Sequence, residues 1–157
     1  MVNNEKYFRE YKIKVYLNAR HFIYINGNQG ETHPHTWEFV LYMKFNKQNF
    51  IEFTEFEKVI NAYIEKYQNR IINELEPFDT LIPTLENITD CFSKDLFKII
   101  QDMNGLLIRI EASETPTRSY VVDINDDFTY EEKINSFYEE SVDEIIDNTI
   151  DLAIDIR

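Results

Sequence analysis

The segment HPHTWEFVLYMKF, residues 33–45, sets Trp37, Phe39, Leu41, Met43 and Phe45 at every second position, alternating with Glu38, Val40, Tyr42 and Lys44. A period of two is the signature of a strand with one buried face. Upstream, residues 11–17 (YKIKVYL) alternate in the same way. Between the two runs, residues 26–34 read NGNQGETHP, which holds two of the chain's three glycines. Turn formers between two alternating runs predict a long antiparallel hairpin with an elaborated loop.

Downstream the period changes. Phe56, Val59, Ile60, Tyr63, Ile64 and Tyr67 recur at helical spacing, and Thr54 with Glu57 three residues on has capping-box spacing, so a helix capped by Thr54 is expected. A second helix follows Pro83, with Thr84 as its N-cap. Its expected apolar stripe is Leu85, Ile88, Phe92, Leu96, Ile99 and Met103, ending at Asn104-Gly105. Cys91 lies beside that stripe and reads as a packed thiol. Residues 106–112 and 119–124 are two further strands. The order ββ-α-α-ββ predicts an α+β architecture, with helices on one face of a four-stranded antiparallel sheet. Two open sheet edges predict self-association through the sheet.

After Tyr130, apolar residues from Ile134 to Ile150 recur at spacings of three and four, and the other face is acidic. The expected division is a core domain, 1–125, and an acidic C-terminal helical extension, 126–157. That helix either packs on its own subunit or docks a partner protein. From Asp123 onward there are twelve acidic and two basic residues, which supply −10 of the net charge of −13. So acidic a chain excludes non-specific binding to nucleic acid or to anionic lipid, both of which need a basic surface. Hydrophobic residues make up 43% and aromatics 15%, enough for a core. No apolar run approaches the ~20 residues of a membrane helix, and MVNNEKYFREYK has no apolar signal-peptide region, so a cytoplasmic protein is expected. With a single cysteine no intrachain disulfide is possible.

The three histidines, His21, His33 and His35, fall within fifteen positions. In an extended segment His33 and His35 share a face, and the hairpin returns them beside His21. Three neutral imidazoles from two paired strands suit an open zinc site with a fourth position for water or substrate. On spacing alone, unconnected hairpin histidines remain an alternative.

Read in order, further motifs give the chain a family likeness. NARHFI (18–23), HPHTWEF (33–39), IEFTEFEKVI (51–60), PTLEN (83–87) and Glu114-Thr115 resemble five successive motifs of the 6-pyruvoyl and 6-carboxytetrahydropterin synthase family. The resemblance implies the tunnelling fold, a homohexamer of two stacked rings, and zinc held by His21, His33 and His35. It also implies a pterin pocket at a subunit interface. There Glu114 holds the guanidine-like edge of the ring through two hydrogen bonds, with Thr115, Thr84 and Glu86 as further substrate-binding positions. Apart from the likeness, Glu114 would read as a solvated turn residue.

The likeness fails where protons are moved. The family's catalytic Cys, four residues before the first His of its His-x-His, falls on Gln29. Its Leu-Asp-His-x-x-Leu-Asn segment aligns with YQNRIIN (67–73), which turns Asp into Gln68 and His into Asn69 and keeps Asn73. Amides do no acid–base chemistry. Pro34 replaces the glycine between the strand histidines and lacks a ladder donor, which suits an edge or bulge. The expectation is therefore a zinc-binding, pterin-pocket protein that no longer runs the family reaction. The alternative is an active lyase on dihydroneopterin or its triphosphate. It would resemble the variant branch that uses Glu in place of the Cys, with Glu31 or zinc-bound hydroxide as base.

Overall fold

The structure, a computed structural model, describes residues 8–46 and 51–124. The expected C-terminal helix, and with it the division at residue 125, lies outside the described residues. None of the described helices is long and apolar enough to cross a membrane.

Strands β1 (Phe8–His21) and β4 (His33–Asn46) pair antiparallel along their whole length, from Phe8 opposite Asn46 to His21 opposite His33. Both run further than the alternation predicts and carry the histidines inside the ladder. The register never slips, so the odd-numbered side chains of both strands share one face. Ile13, Val15, Leu17, Ala19, Trp37, Phe39, Leu41, Met43 and Phe45 are all buried there. The intervening Lys12, Lys14, Tyr16, Asn18 and Arg20 are exposed. The loop between the strands holds a small hairpin, β2 (Tyr24–Ile25) and β3 (Asn28–Gln29). It turns on Asn26 (φ 52°) and Gly27 (φ 78°), where two successive positive φ angles favour Asn-Gly.

Strands β5 (Gly105–Thr115) and β6 (Arg118–Asp123) complete a four-stranded sheet of order β1-β4-β5-β6. A slip between Tyr42 and Met43 leaves Ile108 as an extra residue on β5. This bulge lets Leu107, Ile108 and Ile110 all be buried. Helices α1 (Phe53–Glu65) and α2 (Leu85–Asp102) cover the inner face. Phe56 meets Phe45 at 4.9 Å, and Phe92 meets Phe39, Tyr63 and Tyr67 at 5.1, 5.3 and 5.1 Å. Gly105 has no room for a side chain, since a Cβ there would lie 2.5 Å from Phe45 Cε1. The expected α+β order is present.

Three details differ from expectation. Thr54 lies inside α1 and caps nothing; the start falls at Glu52, whose carbonyl accepts from Glu55 and Phe56 N–H. The buried face of α2 is rotated towards Thr89, Ser93, Phe97 and Ile100, leaving Ile99 half-buried. Thr89 and Ser93 are buried at little cost because their hydroxyls donate to the Leu85 and Asp90 carbonyls of their own helix.

Third, the outer edge of β1 is closed over part of its length. Gln68 accepts from Asn18 N–H at 2.9 Å and donates to the Tyr16 carbonyl at 2.7 Å. Asn69 N–H donates to the Asn18 carbonyl, and Arg20 N–H to the Arg70 carbonyl. The Asn73 amide takes both backbone groups of Phe22, each at 2.9 Å. Asn69 sits at φ 59°, a left-handed conformation that asparagine tolerates. Asn73→Ala removes two part-buried bonds at once and is expected to cost about 1–3 kcal/mol in urea unfolding. An unchanged midpoint would mean that the amide does not hold the edge.

Candidate metal centre

Strand parity delivers the histidines. His21, His33 and His35 continue the inward rows of β1 and β4 past Ala19 and Trp37, where the core opens into a cleft. One ring nitrogen of each lies within 4.8 Å of the others. His21 is buried; His33 and His35 are half-buried. All three sequence-predicted ligands are brought together. Pro34 sits on the opposite face, opposite Arg20, and the β4–β5 ladder begins only at Glu38, so its missing N–H breaks no bond to β5.

The hydrogen bonds set the tautomers. His21 Nδ1 lies 2.7 Å from the Pro83 carbonyl and His33 Nδ1 lies 2.9 Å from the Glu31 carbonyl. A carbonyl only accepts, so each Nδ1 carries the proton and each Nε2 a lone pair. The two Nε2 atoms then face each other at 2.9 Å. At that spacing the pair can share a proton or serve as two ligands of one ion. Burial pulls the His21 imidazole below its usual pKa, with the Pro83 bond working against the shift. Burial lowers that of His35 as well, with Glu114 opposing. Three imidazoles gathered in this way, when neutral, fit a divalent ion.

The buried Trp37 ring packs against the histidines, 5.0 Å from His21 and 5.1 Å from His35 between centroids. Its Nε1–H donates to Glu114 Oε1 at 3.0 Å. Glu114 follows Ala112 on the inward row of β5, opposite the Trp37 end of β4, and so faces the same cleft of about 450 Å³. Thr84 and Glu86 also line it. Thr84 Oγ1 caps α2 by accepting from Asn87 N–H, and that turn presents the Pro83 carbonyl to His21.

Other predicted positions lie elsewhere. Thr115 points to the other face, its hydroxyl 3.2 Å from that of Thr117. Glu31 is exposed, and its carboxylate is not among the groups lining the cleft; only its carbonyl reaches His33. Gln29 is exposed on β3. Burial, then Asp95, pushes the Cys91 thiol up, which disfavours its thiolate form. Sequence reasoning missed Ile23, Arg118, Ser119 and Tyr120, which line the cleft from the loop and β6. The signal was available: a two-residue turn at Pro116 and Thr117 returns the chain beside Glu114. Tyr120 donates to Asp90 at 2.8 Å, and its phenol is pushed up to about 12 by burial and that bond, so it stays neutral.

In comparison with known proteins, residues 10–125 match the family model described as 6-pyruvoyl tetrahydropterin synthase. No curated protein matches the chain in sequence. Among solved structures it is similar to the 6-pyruvoyl tetrahydropterin synthase of Caenorhabditis elegans. That likeness has 12% identity and a TM-score of 0.62, and covers 74% of this chain and 95% of the other. It is similar too to a glutamate-to-alanine catalytic-residue mutant of the Plasmodium vivax enzyme, at 15% identity and TM-score 0.52 over 74% and 97%. An uncharacterised protein of Wolinella succinogenes gives 12%, 0.52, 73% and 98%.

His33→Ala should lower the divalent-metal content from about one ion per chain to near zero. At an ion concentration about 100-fold above Kd it should also forfeit roughly 2–3 kcal/mol of metal-linked stability. Metal analysis beside a thermal melt checks both, and unchanged stoichiometry would remove the metal assignment.

Proposed function

The chain belongs to the 6-pyruvoyl tetrahydropterin synthase family, and on that premise we propose that it is a zinc-binding protein with a pterin-type pocket that has left the family's own reaction. Its antiparallel sheet and two helices form that family's tunnelling fold, and its function is tetrahydropterin synthase-like.

What carries the finer reading is the split between groups that face the cleft and groups that do not. The three imidazoles and Glu114 converge on it. Gln68 is committed to the backbone of β1 and Gln29 is exposed, so neither serves as a proton carrier there. Zinc suits three neutral imidazoles with an open position; when bound it would polarise a ligand oxygen. Glu114 Oε1 takes the Trp37 N–H, which orients the carboxylate and leaves Oε2 to accept from the N–H edge of a heterocycle. Thr84 and Glu86 complete that wall. Self-association, as a homohexamer, would use β6 and the stretch of β1 before Tyr16. The acidic segment 126–157 would serve as a separate surface for a partner protein, in the cytoplasm.

A second reading has one observation in its favour. The Plasmodium vivax relative is described as losing a catalytic residue when a glutamate is replaced. Here Glu31 is tethered to the metal centre through its own carbonyl. If its side chain turned inward, its carboxylate could abstract a proton from a dihydroneopterin side chain.

Turnover decides between them. The zinc-loaded protein is incubated with dihydroneopterin triphosphate, and separately with dihydroneopterin, and the pterins are separated by chromatography. The expected result is no 6-pyruvoyl, 6-carboxy or 6-hydroxymethyl product, with pterin retained on the protein. A product abolished by Glu31→Gln would establish the lyase instead. Neither product nor retention would sink both readings.

A further inference from the structure

We infer that a groove on the outer side of His35 is a second ligand subsite, one that takes a small oxyanion, a phosphate or a carboxylate group. The groove measures about 390 Å³ and is lined by Asn18, Arg20, Pro34, His35, Thr36 and Asn69. His35 is the wall it shares with the metal cleft. No carboxylate lines it, in a chain whose net charge is −13.

The polar groups that face it are set as donors. Thr36 Oγ1 donates to Asn18 Oδ1 at 2.7 Å, so the oxygen of that amide is occupied and its NH₂ is left to donate. Asn69 is held at φ 59° with its N–H on the Asn18 carbonyl at 2.6 Å, which pins the residue while its side-chain amide has no partner among the described residues. Arg20 is exposed and forms no ion pair among the described residues. Its backbone is fixed by the bond to the Arg70 carbonyl and the bridge to Ile71. A guanidinium fork on a rigid strand, flanked by two amides and kept clear of carboxylates, is a receptor for a planar or tetrahedral oxyanion. The inference does not rest on the proposed function: neither a metal ion nor a pterin enters it.

Calorimetric titration of the full chain with pyrophosphate, and separately with citrate, at fixed ionic strength and before and after chelation, reads the subsite. Saturable binding at one site per chain that survives chelation is expected, and whichever anion binds names the group. Arg20→Ala should weaken it at least about tenfold, with part of the loss restored in Arg20→Lys. Asn69→Asp, close in shape and tolerant of the same backbone, should weaken it as well by placing a carboxylate in the groove, which keeps the test open if Arg20→Ala folds poorly. Absence of saturable heat from both anions would overturn the inference. Binding that disappears on chelation would too, since the anion would then sit on the ion held by the histidines. So would binding that Arg118→Ala abolishes and Arg20→Ala spares.

Discussion

The unbroken register between β1 and β4 is the constraint on which the site depends. Fourteen residues of each strand face one another without a bulge. The inward row that begins as core therefore ends, with no change of side, as three imidazoles. A one-residue slip would turn His21 to solvent and bury Arg20. Glu114 arrives by the same rule on β5, after the bulge at Ile108 has set its parity. Core and candidate site are thus one row of side chains read at two ends, and what separates them is the buried ring of Trp37.

Electrostatics at the open end follow from how the loops are tied down. The N-terminal turn of α2 and the loop before β4 each supply a carbonyl to one Nδ1, and those two bonds leave paired lone pairs facing across 2.9 Å. The same economy explains the amides at positions 68, 69 and 73. On the family likeness they read as lost or kept catalytic groups. In the fold, their amide or backbone groups take the place of a fifth strand along the outer edge of β1 from Tyr16 to Asn18 and hold Phe22 just past its end. A carboxylate at 68 could accept from Asn18 N–H but could not donate to the Tyr16 carbonyl, so the amide is the residue the edge requires.

The parts of the fold legible in the sequence were those written in a strict period. Alternation in residues 33–45 announced β4, and the spacing of His33 and His35 placed both on its inner face. Helical periodicity announced both helices but misjudged the face of α2. Threonine and serine at 89 and 93 look polar in a list of residues, yet their hydroxyls are satisfied within the helix. The cap of α1 was missed because Thr54 fits the pattern while the chain already turns at Glu52. Contributions from β6 were missed for another reason: Ser119 and Tyr120 reach the cleft through the hairpin return at Pro116 and Thr117, and beyond that turn their residue types carry no signal of their own. Thr115 was grouped with Glu114 by the resemblance to the family's Glu-Thr motif, and within this chain the two side chains face opposite ways on the strand.

Trp37 is the only tryptophan in the chain. Its ring lies edge-on to His21 and its N–H is held by Glu114. The molecule therefore carries an intrinsic optical reporter at the junction of the histidine cluster and the carboxylate. Light emitted beyond the tyrosine band originates there alone. An event at either neighbour changes the surroundings of that one indole. The residue that divides core from cleft is also the one whose emission tells whether the cleft is filled.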